Sequence, residues 1–208
     1  MKVKTMMLGI LQTNVYVVYD EESKDAVVID PVGDEDRIIR FIEENNLILM
    51  GILVTHGHFD HIGVVDAIRD RFGVPVFTSE EEGKIMADPN RNLSLSLMRK
   101  VVSVDNDEIV GDKDTLEFGE LKFDCIVVPG HSPESVCYYN SENDILFCGD
   151  TLFAGSIGRT DFYDGPENAL INNIKNRLMN LPEETRAYPG HGFQTTIGYE
   201  KKTNIYMC

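Results

Sequence analysis

Residues 52–61 read ILVTHGHFDH. Ile52–Thr55 is a continuous apolar run of the length expected for a buried strand. It breaks into His56-Gly57-His58-Phe59-Asp60-His61, which gathers three of the chain's five histidines within six residues. In an extended turn, alternate residues face the same way, so His56 and His58 can aim both imidazoles at one point. Asp60 and His61 fall where the chain turns into a helix, His61–Phe72, that ends at Gly73. They can aim at a neighbouring point. Imidazole and carboxylate together suit zinc, iron, manganese or cobalt rather than calcium or magnesium. The bland alternative is a polar loop whose histidines cap the next helix, but lone histidines rarely cluster this way by accident.

The two remaining histidines repeat one setting. His131 follows the apolar run Cys125–Pro129, in Pro129-Gly130-His131-Ser132, and His191 follows Tyr188, in Pro189-Gly190-His191-Gly192. Each is a strand end, then Pro-Gly, then His, and the glycine lets the backbone turn sharply beside a site. Either alone could be an idle loop histidine; with the cluster they leave no histidine unused. Asp150 closes Ile145-Leu146-Phe147-Cys148-Gly149-Asp150, and Asp30 closes Val28-Ile29-Asp30-Pro31. A carboxylate at the end of a buried strand is costly unless it is paired or metal-bound. Asp30 is expected to accept a hydrogen bond from a ligand imidazole; the alternative is a turn-initiating Asp before proline. Ser132 is expected to have a loop role and none in catalysis.

Working outward, Asn14–Tyr19 and Ala26–Ile29 read as strands, and Asp34–Asn45 as a helix with acids in its first turn. Val74–Phe77 is a further strand. Residues 80–100 read as helix and loop without clean chemistry. From about 101 to 150 strand follows strand, with turns at Gly111–Asp112, Phe118–Gly119 and Asn140–Asp144, and Pro166–Leu181 reads as a strong amphipathic helix. Ala187–Gly192 is a short strand and loop. Two packed sheets, each covered by helices on its outer face, satisfy this pattern, although pattern alone would also allow one open sheet.

The chain has 208 residues, 42% of them hydrophobic, enough for one sizeable core, and residues 1–208 are taken as a single domain. No apolar run approaches the ~20 residues that span a bilayer. The start, MKVKTMMLGILQTNVYVVYD, lacks a signal peptide's apolar core and cleavage site and reads as a first strand, so a cytoplasmic location is expected. The formal net charge is −16, which repels nucleic acid and anionic membrane, so neither is an expected partner; the same acidity would equally serve solubility alone. The sequence leaves oligomeric state open. The four cysteines, Cys125, Cys137, Cys148 and Cys208, form no Cys-x-x-Cys pair and read as reduced and structural.

The ordered motifs THGHFDH, PGHS, CGDT and PGHG, spanning the chain from Asp30 to His191, resemble those of the metallo-β-lactamase superfamily. The resemblance implies an α/β (α+β) fold, a four-layer αββα sandwich with the site at the edge between its two sheets. It also implies a ligand set. His56, His58 and His131 would hold one divalent metal ion; Asp60, His61 and His191 would hold a second; Asp150 would bridge the two along with a hydroxide. Zinc is the expected metal, with iron or manganese as alternatives. The bridging hydroxide would attack a thioester or related ester carbonyl, with Asp60 helping to orient the nucleophile and no Ser or Cys nucleophile required.

The segment GDTLFAGSIGRTDF, Gly149–Phe162, is similar to the glyoxalase II-like branch, which hydrolyses thioesters such as S-lactoylglutathione. Glu200…Asn204-Ile205-Tyr206 looks like that branch's Glu…Asn-Pro-aromatic tail, with Ile205 in place of the proline. Two departures bear on glutathione. The chain stops about where the branch's additional C-terminal helical domain would begin, and Thr160-Asp161 follow Arg159 where the branch has a tyrosine. Short forms of the branch are the nearer match, and β-lactam hydrolysis is not expected. Arg159 could bind a substrate carboxylate through its guanidinium fork or pair with Asp161. One rival is a mononuclear iron persulfide dioxygenase, whose metal would be held by His56, His131 and Asp150. The other is a metal-stabilised binding module without turnover, against which the complete ligand set argues.

Overall fold

A computed structural model describes residues 1–162 and 164–207; Cys208 lies outside the described residues. The N-terminal half forms a six-stranded sheet in spatial order β1 (Lys2–Leu8), β2 (Thr13–Tyr19), β3 (Asp25–Ile29), β4 (Ile48–Leu53), β5 (Val76–Thr78) and β6 (Glu108–Ile109). Between β3 and β6 the chain forms helices α1 (Glu35–Glu44), α2 (Phe59–Ile62), α3 (Val65–Phe72) and α4 (Glu80–Ala87). The second half runs β7 (Thr115–Phe118), β8 (Leu121–Val127), β9 (Val136–Asn140), β10 (Ile145–Gly149), a small hairpin β11 (Leu152–Phe153) and β12 (Ser156–Ile157), helix α5 (Ala169–Asn173), β13 (Arg186–Pro189), β14 (Thr195–Thr196) and helix α6 (Ile197–Thr203). Its sheet has the order β14-β13-β10-β9-β8-β7.

The two-residue period of a strand sorts side chains into layers. In β2, Val15 and Val17 pack with Ile38 and Ile42 of α1 and Ile68 of α3, while Tyr16 and Val18 turn to the opposite face. There they meet Phe123, Tyr138, Phe147 and Tyr188 from the second sheet. In β9 and β10 the other faces, Cys137, Tyr139, Leu146 and Cys148, pack under Leu170 of α5. Helix–sheet, sheet–sheet and sheet–helix cores therefore alternate, giving the αββα sandwich. Full burial of each such side chain contributes about 1.5–3 kcal/mol. Tyr138 adds a polar tie across the middle layer by donating its hydroxyl to the Val54 carbonyl at 2.9 Å.

Several elements differ from their sequence-based bounds, and in three the cause is visible. β4 begins earlier, at Ile48, and ends at Leu53, because Thr55 leaves the ladder and gives its N–H to Asp30 Oδ1 at 2.7 Å. The helix expected over His61–Phe72 is two helices. Between α2 and α3, Val64 takes a non-helical backbone and donates its N–H to the Pro31 carbonyl, which re-aims the second helix. The helix expected from Pro166 starts only at Ala169, because Asn168 sits at φ +62°, and it continues as a widened π turn over Ile174–Leu178.

The cysteines Cys125, Cys137 and Cys148 are free and buried in β8, β9 and β10. Burial pushes the thiols of Cys125 and Cys137 up to about 12, so they pack as small apolar groups. No helix among the described residues is long and apolar enough to cross a membrane.

Candidate metal centre

The site lies where β4, β8, β10 and β13 end together at one edge of the sandwich. The loop after β4 supplies His56 and His58, α2 supplies Asp60 and His61, and the loops after β8, β10 and β13 supply His131, Asp150 and His191. Their donor atoms form three overlapping groups: His56 with His58 and His131, His56 with His61 and Asp150, and Asp60 with His61 and His191, each within 4.8 Å.

In the first group, His131 Nε2 faces His56 Nε2 at 3.2 Å and His58 Nδ1 at 3.1 Å. Two further hydrogen bonds orient the rings. His131 donates Nδ1–H to the Arg159 backbone carbonyl at 2.9 Å, which leaves a lone pair on Nε2. Thr55 Oγ1 gives its proton to Asp30 Oδ2 at 2.7 Å and lies 3.1 Å from His56 Nδ1, where it can accept, leaving His56 Nε2 bare. Burial holds the His56 imidazole well below its ordinary range, the nearby histidines adding to the effect, and takes His58 down to about 3. Burial also lowers His131, outweighing the pull of Asp150. Three lone pairs therefore converge without a proton between them. A tetrahedral ion with bonds of 2.0–2.1 Å sets its nitrogen ligands about 3.3 Å apart, close to the observed spacing.

The group of Asp60, His61 and His191, with Asp150 beside it, carries charge. His61 donates Nδ1–H to Asp30 Oδ2 at 2.9 Å, and its Nε2 lies 3.4 Å from Asp150 Oδ1 and 3.7 Å from Asp60 Oδ2. Burial opposes protonation of His61, but Asp150, Asp60 and Asp30 together push it well above its ordinary value. His191 Nε2 lies 3.2 Å from Asp60 Oδ2 and 3.6 Å from Asp150 Oδ2; its pKa is raised by these partners against burial. Asp60 and Asp150 are held below the usual carboxylate range, despite burial, by the histidines around them. Asp150 Oδ2 also reaches His131 Nε2 at 3.8 Å, so this carboxylate stands between the two groups. His61 Nε2 and Asp150 Oδ1 are buried and have no hydrogen-bond partner. Orphaned buried polar atoms of this kind are costly unless a cation meets them, and the donor set fits a pair of divalent ions.

The His191 loop is clamped from the far end of the chain. Asn14 donates its side-chain amide to the carbonyls of Pro189 and Gly192, and Tyr16 donates its hydroxyl to Pro189 O at 2.5 Å. Gly190 is required there, because a Cβ would stand 2.2 Å from Asp150 Oδ1 and 2.6 Å from His61 Cε1.

Residues 8–191 match the model of the metallo-β-lactamase superfamily. The chain belongs to that superfamily. Among curated members, it is 35% identical over its full length to "Probable metallo-hydrolase YqgX" of Bacillus subtilis, covering 98% of that protein. It is 33% identical to hydroxyacylglutathione hydrolase GloC of Haemophilus influenzae, again covering all of this chain and 98% of that one. Among solved members, the BLEG-1 B3 metallo-β-lactamase is 40% identical with a TM-score of 0.94, over 99% of both chains. TTHA1623 in a di-iron-bound form is 33% identical with a TM-score of 0.84, over 98% of this chain and 99% of that one. ETHE1 from Myxococcus xanthus is 31% identical with a TM-score of 0.81, over 99% of this chain and 84% of that one.

Within this superfamily site, Arg159 is the sequence candidate that stands apart. Its exposed guanidinium forks onto Asp161, with Nε 2.7 Å from Oδ1, and lies 4.0 Å over the Phe162 ring. What touches a histidine of the centre is its backbone carbonyl. A cleft of about 520 Å³ opens beside His58, with Arg91, Leu93, Pro133 and Phe162 in its walls. Sequence reasoning missed Thr55, which links Asp30 to His56, and Glu82, a fully buried carboxylate behind His58. Of the two, only Thr55 lay in view, directly before the cluster.

The C-terminal Glu200 and Asn204 are both buried and bonded to each other. Glu200 also accepts the Gly155 N–H at 2.9 Å, and Asn204 donates to the Ser156 carbonyl at 3.0 Å. This tail therefore holds the β11–β12 hairpin that follows Asp150.

Proposed function

We propose that the chain is a hydrolase working with two divalent metal ions on an acyl thioester or related ester of a small molecule, as in hydroxyacylglutathione hydrolysis. The observation that carries this reading is the pair of buried atoms His61 Nε2 and Asp150 Oδ1, which face one another without hydrogen bonds between two three-ligand groups. When bound, such ions bring the pKa of a coordinated water to about 7 and polarise a carbonyl. His56, His58 and His131 would hold one ion; Asp60, His61 and His191 the other; Asp150 would serve both. Asp30 fixes the His61 ring so that its Nε2 faces inward. Asp60, whose Oδ2 lies near His191 and His61, would also help to orient an attacking water. Arg159 would exchange Asp161 for a substrate carboxylate, a pairing that a planar guanidinium fork suits.

The relative named for hydroxyacylglutathione hydrolysis supports the thioester class, and the di-iron form of TTHA1623 supports a dinuclear centre, for which we propose zinc or iron. Free buried thiols fit a reducing, cytoplasmic setting. The 40%-identical BLEG-1 is called a B3 metallo-β-lactamase, so the test must include a β-lactam. It consists of metal analysis of native protein, hydrolysis of S-lactoylglutathione, simple thioesters and nitrocefin, and oxygen uptake with glutathione persulfide. Two metals per chain and thioester turnover are expected. A single iron with oxygen uptake would replace the reading with a dioxygenase, nitrocefin turnover alone would replace the substrate, and metal without turnover on any of them would leave a binding module.

A further inference from the structure

Helix α4 begins with three consecutive acids, Glu80, Glu81 and Glu82. The first two are at the surface, where both pair with Lys84. Glu82 is different: its side chain is fully buried behind the loops that carry the three-histidine group. Oε2 accepts the N–H of Gly57, at 2.8 Å, and Gly57 is the residue between His56 and His58. Oε1 accepts the hydroxyl of Ser132 at 2.7 Å and the N–H of Glu134 at 2.9 Å, in the loop that carries His131. One oxygen therefore holds the loop from the first sheet and the other holds the loop from the second.

The surroundings make this arrangement rigid. Gly57 is pressed against α4 so closely that a Cβ would lie 2.7 Å from the Glu82 carbonyl oxygen and 2.8 Å from Ile85 Cγ2. The helix start is itself stitched to the His131 loop, with Ser79 Oγ donating to Glu134 O and Glu81 N–H donating to Glu134 Oε2. Burial of a carboxylate is expensive, and here it is offset by three donors rather than by a cation.

We propose that Glu82 is a positioning residue of the metal centre, a two-sided acceptor that fixes His56 and His58 from one sheet against His131 from the other. This rests on the reading of those histidines as metal ligands and adds a residue to it. Both oxygens must accept. Glutamine has the same shape, but its amide nitrogen would point an N–H at either the Gly57 N–H or the Glu134 N–H, so Glu82→Gln breaks one side without emptying the space.

The test is titration of metal-free protein with Co(II) against a competing chelator, with thermal unfolding of the metal-free form alongside. The binding step that disappears in His58→Ala marks the three-histidine group. In Glu82→Gln that step is expected to weaken on the order of 10–100-fold, the range typical for partners behind metal ligands, while the other step stays in place. Ser132→Ala, which removes one donor and keeps the carboxylate, should weaken the same step by less, and Glu81→Gln should leave both steps unmoved. If Glu82→Gln lowers the unfolding temperature of the metal-free protein but shifts neither step, or shifts both equally, the residue is only a core polar group and the proposal falls. Should Glu82→Gln fail to fold, an unshifted step in Ser132→Ala overturns it. If wild-type protein has no step that His58→Ala abolishes, the metal reading itself fails, a result separate from either outcome for Glu82.

Discussion

The two halves of the centre are built from different chemistry. His56, His58 and His131 form a group of imidazoles only, all buried and all kept neutral by that burial. Asp60, His61 and His191 mix carboxylate with imidazole, and the His191 side chain is 27% exposed. Without a cation, the carboxylates around His61 and His191 hold protons on those rings. The first group thus has no proton to release when a cation arrives, whereas the second must give protons up. Two subsites a few ångströms apart should therefore respond differently to the same conditions.

The severest way to break that contrast is to remove the group both halves share. Asp150→Ala should empty both subsites and reduce turnover to background, as read by metal content and thioester hydrolysis; retention of two metals would show that Asp150 is not shared. Acidification should then separate the halves. The raised pKa values of His61 and His191 mean that protons compete with metal there once pH falls through them, so affinity on that side drops as pH drops. His58, at about 3, takes no proton under mild acid. Metal analysis after dialysis between neutral pH and about pH 5 should find one ion lost first, and its loss should match that of His191→Ala; simultaneous loss would erase the distinction.

Asp30→Asn sharpens the contrast further. It trades the carboxylate that accepts the His61 Nδ1–H for a neutral amide, a weaker acceptor, and should weaken that side's metal affinity by roughly 10–100-fold. The other side, touched only through Thr55, should change less, and chelator competition would register both. The smallest effect is expected for Arg159→Ala. Its side chain pairs at the surface, so metal content should be unchanged and only KM for a carboxylate-bearing thioester should rise; a lost metal would mean that the side chain supports the His131 loop.

How much of this was legible in the sequence follows from how local each feature is. THGHFDH presents four of the donor residues in one stretch, and the strand before it fixes where they lie. His131, Asp150 and His191 were visible because each follows an apolar run and a glycine, but only the ordered family motifs joined them to the cluster. Glu82 was not legible. Three acids opening a helix look like a solvated N-terminus, and only tertiary packing selects one of them for burial. The break between α2 and α3 was hidden for the same reason, since it depends on a hydrogen bond from Val64 to Pro31 in another loop. The late start of α5 depends on a single left-handed residue, Asn168, which composition does not mark.

The clamp on the last histidine also has a bearing on how the molecule is made. Asn14 and Pro189 are 175 positions apart, and closing so long a loop costs chain entropy before the contact returns anything. During synthesis the histidine triplet emerges early and waits with its partners still untranslated. The loop carrying His191 can seat only once β13 of the second sheet has left the ribosome. A fragment stalled before β13 therefore lacks both the last of the histidines and the contact that seats it.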